Sequence, residues 1–274
     1  MWRLLVCLPL CLCMAPDYAD SPGGDRPARS VESFRDDGAA LPRDADMERL
    51  AREKPIGFLE NCLRKYAREV KGYRVVLQKQ ELIKGRLEPT EVIDVKFHEK
   101  PHSVYFNWLE GARKAERALY VEGENDGKML ARPKGKLQRL AVGDVVARSL
   151  DDPDVRASGR YNLREFGMKK GTERTLAAWK AAEERDGLDV KYLGVKKVKE
   201  AGNRECYALR ETCKKPDPDG VTERVIYIDI DNWLQVGSVL KGEDGKLIGA
   251  YYFRDIRLNA EFKPEEFQRD ALAE

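Results

Sequence analysis

The chain has 274 residues, with 50 lysines and arginines against 48 aspartates and glutamates and a formal net charge of +2. This near-balance, with no basic block, excludes a nucleic-acid partner held by charge. Two histidines and six cysteines, three of them before residue 14, do not provide the roughly four nitrogen or sulfur ligands of a structural zinc site, so neither metal nor cofactor is expected.

Met1-Trp2-Arg3 precedes an apolar run from Leu4 to Met14. One basic residue, a short apolar stretch and then small polar residues form the layout of a secretory signal. The run is shorter than the roughly 20 residues that cross a bilayer. Residues 1–19 are therefore read as a signal peptide or short N-terminal anchor, and the folded part is expected in the periplasm or cell envelope. Residues 20–45 contain Gly23-Gly24, Pro27 and Pro42, show no apolar period and read as a disordered linker. Residues 46–274 are expected to form one domain, large enough to bury about 70% of its unfolded surface without staples.

Within that domain the pattern predicts a short helix over Ala45–Lys54 that ends at Pro55. A second helix follows over Ile56–Val70, with Phe58, Leu59, Cys62, Leu63 and Tyr66 on one face. The period then drops to two. Strands are predicted from Tyr73, over Val92–His98, Ser103–Leu109, Arg117–Glu122 and Lys128–Arg132, with Asn125-Asp126-Gly127 as a turn. Leu140–Leu150 is mixed, Asn162–Gly171 and Thr172–Arg185 read as helical, and five further strands run from Val190 to Leu258. Helix, meander, helices, meander is an α+β order, not the alternation of a doubly wound nucleotide fold.

After the leader, three cysteines remain. In an oxidising compartment Cys206 and Cys213 can form a disulfide; three buried thiols, with Cys62, is the alternative. His98, His102 and Ser103 do not make a nucleophile–base pair, because neighbouring strand residues face opposite sides. Asp151, Asp152 and Asp154 read as a solvated loop, and Asp229 and Asp231 as a turn. Glu81, Glu91 and Glu122 are spread over several strands, so no paired-carboxylate site follows from the sequence. Lysines 169, 170, 191, 196, 197 and 199, interleaved with acids, form a solvated face or a weak contact with an anionic membrane surface.

The stretch from Phe58 to Phe267 resembles a bacterial envelope family, the domain of unknown function 1571. The resemblance is carried by Gln78 and Glu81 in QKQE, Gly85-Arg86-Leu87-Glu88-Pro89, Val95-Lys96-Phe97, Trp108, Tyr120-Val121-Glu122-Gly123, Asn125-Asp126-Gly127-Lys128 and Asp255-Ile256-Arg257-Leu258-Asn259. That family is similar to the envelope carriers LolA and LolB and the sensor RseB. The resemblance implies a curved, half-open antiparallel β-barrel closed by helices around an apolar cavity, and no assigned activity.

The strands carry a set of apolar and aromatic residues that would line such a cavity: Val75, Leu77, Val104, Tyr105, Phe106, Trp108, Leu119, Val121, Ile226, Ile228, Trp233, Val239, Tyr251 and Phe253. If the helices cover this face incompletely, an acyl chain can enter. At about 0.8 kcal/mol per buried methylene, a twelve-carbon chain contributes on the order of 9 kcal/mol before binding costs. The expected function is non-enzymatic binding of a lipid, a lipoprotein acyl chain or another apolar ligand. An RseB-like interaction module with a filled core, or an envelope hydrolase using strand carboxylates, are the alternatives.

Overall fold

The computed structural model describes residues 31–273, so the leader and the first part of the linker lie outside the described residues. Two helices come first, α1 (Asp44–Glu53) and α2 (Pro55–Glu69). Pro55 supplies the fixed φ suited to a first helical turn. Phe58, Leu59, Cys62, Leu63 and Tyr66, spaced by one to four residues, bury a single stripe of α2.

The first meander contains β1 (Gly72–Ile83), the two-residue β2 (Arg86–Leu87), β3 (Glu91–His98), β4 (Ser103–Glu110), β5 (Ala115–Val121) and β6 (Met129–Pro133). A short helix α3 (Lys136–Val142), β7 (Val146–Arg148) and a one-turn helix α4 (Pro153–Arg156) follow. The two helical segments expected between Asn162 and Arg185 resolve into a 3-10 turn, Leu163–Glu165, and one helix, α5 (Met168–Glu183). The turn is closed by reciprocal capping between Asn162 and Glu165. The second meander is β8 (Val190–Val198), β9 (Arg204–Thr212), β10 (Glu223–Asp229), β11 (Gln235–Lys241) and β12 (Leu247–Leu258).

All twelve strands join one antiparallel sheet in the order β7-β6-β5-β4-β3-β1-β12-β11-β10-β9-β8, with β2 attached to β1. The first long strand pairs with the last, from Tyr73↔Leu258 to Glu81↔Gly249, so the seam between the two meanders lies mid-sheet. The ends of the order, β7 and β8, do not pair with each other, and the barrel is half-open.

The two halves are covered differently. Under β9 and β10, α1, α2 and α5 form a dense core: Met47, Phe58, Leu59, Leu63, Leu176 and Trp179 meet Tyr207, Leu209, Ile226 and Ile228. The opposite face of β4–β6 is covered by two C-terminal 3-10 turns, Pro264–Phe267 and Arg269–Leu272, where Leu272 packs on Tyr105, Leu119, Val121 and Leu130. Arg74 and Lys96 clamp Glu266 of this segment at 2.8 and 2.9 Å. Burial pushes the Glu266 carboxyl up, but those cations prevail and hold it at about 2.

Residues 31–43, assigned from composition to the disordered linker, are irregular yet anchored. Asp36 and Asp37 pair with Arg68 and Arg64 of α2, Phe34 N donates to Glu173 of α5, and Phe34 and Leu41 pack on the helix-covered core. Low mean hydropathy hid two apolar anchors and a charge pattern complementary to α2.

Phe97 is almost fully buried and stacks on Tyr73 at 4.6 Å, within the core that joins β1, β3 and β4. Phe97→Ala is expected to cost about 3–5 kcal/mol. Urea unfolding checks this as a lower midpoint at unchanged slope.

Candidate ligand cavity

Across the first meander the register places Val75, Val95, Phe106, Ala118, Ala131 and Val146 opposite one another in a single row on six neighbouring strands. The row begins with large side chains and turns to alanine on β5 and β6. The shorter side chains leave space where the helices α1, α2 and α5 do not reach. A cavity of about 510 Å³ fills it, walled by Phe106, Trp108, Ala118, Met129, Ala131, Leu150, Val155 and Leu163. That volume lies within the roughly 300–1,000 Å³ of small-molecule sites. The strand residues form its floor, while α3 and the loop through α4 form its roof, contributing Gln138, Val142, Ser158 and Tyr161.

One end of the cavity is polar. Along β1 the inward positions continue Tyr73, Val75, Leu77, Lys79, Glu81, so the apolar stripe ends in an ion pair. Lys79 Nζ lies 3.0 Å from Glu81 and 3.3 Å from Glu91, its cross-strand partner on β3. Arg113 approaches the same Glu91 at 2.9 Å and Glu88 at 3.7 Å, and Arg86 pairs with Glu88 at 3.0 Å. Trp108 Nε1 donates to Glu91 at 3.0 Å, and the Tyr251 hydroxyl donates to Glu81 at 2.8 Å. Three cations thus face three carboxylates, and the cluster is electrically balanced. Burial disfavours the Lys79 ammonium, but Glu81 and Glu91 outweigh it and raise its pKa. Burial likewise pushes Glu91 up, yet Lys79, Trp108 and Arg113 bring it below the ordinary carboxylate range.

Of the fourteen residues expected to line a cavity, Phe106 and Trp108 do so. Val75, Leu77, Val104 and Phe253 lie in the same core beside it. Ile226, Ile228 and Trp233 are packed under the helices of the other half. Tyr105, Leu119 and Val121 lie beneath Leu272, in the cluster covered by the C-terminal turns. Their neighbours in sequence, Val104, Phe106, Ala118 and Tyr120, belong to the first-meander core, because a strand alternates sides at each residue. Tyr251 packs with Val221, Leu240 and Ile248, and its ring lies 5.8 Å from that of Tyr161, a cavity residue. Val239 is half-buried on β11.

Cys206 and Cys213 are both free thiols, as is Cys62, so the disulfide is not formed. The two cysteines sit seven positions apart along β9 and its extension, and an extended chain rises about 3.3 Å per residue, far beyond the reach of a disulfide. His102 Nε2 lies 3.0 Å from the Leu163 carbonyl and Ser103 Oγ donates to the Pro101 carbonyl at 2.9 Å, so neither serves the other. Arg148 pairs with Asp152 and Asp154, and Arg204 with Asp229 and Asp231. Glu122 is exposed and apart from Glu81 and Glu91. The residues missed from sequence are Lys79, Arg113, Ala118 and Ala131. The available signal was the pair of alanines in strands otherwise apolar inward, together with a lysine continuing an inward stripe.

Residues 70–272 match the family described as Protein of unknown function (DUF1571). No curated protein matches the sequence. Among solved structures, MucB is 17% identical with a TM-score of 0.47, over 78% of this chain and 62% of that one. The chain therefore spans under two thirds of the MucB chain. A LolA superfamily protein from Nitrosomonas europaea is 10% identical with a TM-score of 0.35, over 78% and 98% of the two chains. The Mycobacterium tuberculosis lipoprotein LppX is 10% identical with a TM-score of 0.43, over 77% and 98%.

Lys79→Met leaves buried Glu81 without a cation, while Glu91 keeps Arg113, and is expected to cost about 3–5 kcal/mol, part of which is recovered on adding Glu81→Gln. Denaturant titration of the single and double variants measures both. Because Glu91 and Glu266 titrate lower in the folded chain than in the unfolded one, their stabilisation is complete above the ordinary carboxylate range. It is lost as pH falls through their folded values. The urea midpoint is therefore expected to drop steadily below about pH 4.5, the ordinary glutamate value.

Proposed function

We propose that this chain, which belongs to the DUF1571 family, binds one apolar chain of a lipid or lipoprotein in the cavity of its first meander, outside the cytoplasm. The observation that carries the reading is the 510 Å³ space opened where the cross-strand row changes from Phe106 to Ala118 and Ala131. The floor and much of the roof are apolar, so burial of methylenes supplies affinity without directional contacts.

The polar end refines the ligand. At that end Lys79, Arg86 and Arg113 are matched by Glu81, Glu88 and Glu91, while on the cavity wall Lys114 donates to the Asp154 carbonyl and Arg148 pairs with Asp152 and Asp154. Next to the Lys79 cluster, an uncharged polar head such as an ester or hydroxyl fits the balance better than an anionic one. The same geometry weighs against Glu91 as a general acid. A carboxyl acting as general acid needs a raised pKa, whereas Glu91 is held low by its partners. Among the described residues no helix is long and apolar enough to cross a membrane. Delivery to the envelope rests on the leader at residues 1–19.

Ala118→Trp fills the cavity from its floor. The indole takes space the acyl chain would fill; losing about two methylene contacts at ~0.8 kcal/mol each lowers affinity for a fluorescent fatty-acyl ester about tenfold or more. Val195→Asp, on the exposed edge strand β8, should leave binding unchanged. Near-ultraviolet circular dichroism confirms that both variants fold. No uptake of the ester by the wild-type chain, or equal uptake by Ala118→Trp, refutes the reading and favours a partner-binding role.

A further inference from the structure

The cavity roof carries an unusual surface. In α3, Leu137 and Leu140 are each 84% exposed and Val142 is 55% exposed. A spacing of three places the two leucines on one side of the helix, while Gln138 and Val142 of the same helix line the cavity. The large apolar side chains of α3 thus turn outward, the reverse of a helix that serves only to cover a core. The charge along the helix and the strand before it is mainly positive, with Asp144 just past the helix end paired to Arg139 at 3.7 Å. Residues 128–142 contain Lys128, Arg132, Lys134, Lys136 and Arg139 and no acidic residue. Arg132 and Arg139 are tied to Glu116, whereas Lys128, Lys134 and Lys136 are exposed. Gly135 and Gly143 flank the helix at φ of +89° and +98°, and a Cβ on either would meet nothing within 4 Å.

We propose that α3 docks on an anionic lipid bilayer. Leu137 and Leu140 enter the boundary between headgroups and acyl chains, and Lys128, Lys134 and Lys136 lie against the phosphates. Outward leucines flanked by lysines are the pattern of an interfacial helix, and each juxtamembrane cation adds to the attraction of an anionic leaflet. The inference rests on the acyl-chain reading of the cavity: a roof helix seated in the bilayer places the cavity mouth at the level where such chains lie. This surface is distinct from the lysine-bearing edge strand β8.

Flotation of the full chain with vesicles of phosphatidylglycerol and phosphatidylethanolamine, compared with phosphatidylcholine alone, tests the proposal. The wild-type chain is expected to float with the anionic vesicles, and less so as salt rises. L137D/L140D should lower the partition about tenfold or more, and K134E/K136E should remove the preference for anionic lipid. Uptake of the fluorescent ester in vesicle-free solution should be unchanged in both variants, since these side chains point away from the cavity. Failure of the wild-type chain to float, or equal flotation of L137D/L140D, overturns the docking while leaving ester uptake as a separate measure of the cavity. Concentration-dependent dimerisation abolished by L137D/L140D, without vesicle binding, would assign the leucines to a second copy of the chain and likewise overturn it.

Discussion

The pairing of β1 with β12 is the constraint on which the rest of the molecule depends. These strands are the first and last long ones in sequence, and they meet in the middle of the sheet. Each meander is held on the other through this seam alone among the strand pairings. Because β1 also supplies inward residues from Tyr73 to Glu81, it sets the depth of the first-meander core and ends it in the balanced ion cluster. The two halves then diverge according to what covers them. Three helices fill one, and one short helix and a loop roof the other. A filled core and an open cavity, alternatives when only the sequence is considered, coexist in different halves of one sheet.

Most of the secondary structure was legible because its period is strong. The strands and the buried stripe of α2 follow the expected alternation and spacing within a few residues. Helix α3 was not legible: its leucines face outward, so the signal of a helix burying one face is missing, and the stretch reads as mixed. The cavity was not legible either, since it depends on register. Ala118 and Ala131 make a gap only because they sit opposite each other and beside Phe106. Composition says nothing about that alignment. Tyr105, Leu119 and Val121 were misplaced for a simpler reason. They were grouped with their sequence neighbours by hydrophobicity, although alternation sends them to the opposite side.

The ion cluster shows why a polar motif can belong to an apolar site. Lys79 and Glu81 lie in the QKQE stretch and, unlike an exposed pair, have little water to compete with them. Buried ion pairs add little net stability, but losing one partner is costly. The cluster therefore fixes a boundary for the cavity and resists substitution of its buried members, Lys79, Glu81 and Glu91. Trp108 and Tyr251 extend it through hydrogen bonds to the aromatic wall, linking the position of the charges to the shape of the apolar space.

The central seam also governs how the chain folds as it emerges from its amino end. The strands of the first meander can assemble as they emerge, but one flank of β1 keeps its peptide groups unmatched until Leu247–Leu258 arrives. During that interval the growing chain presents an open central edge that can pair with neighbouring polypeptides. A holding chaperone is most useful in this window, after the first meander appears and before the final strand closes on it.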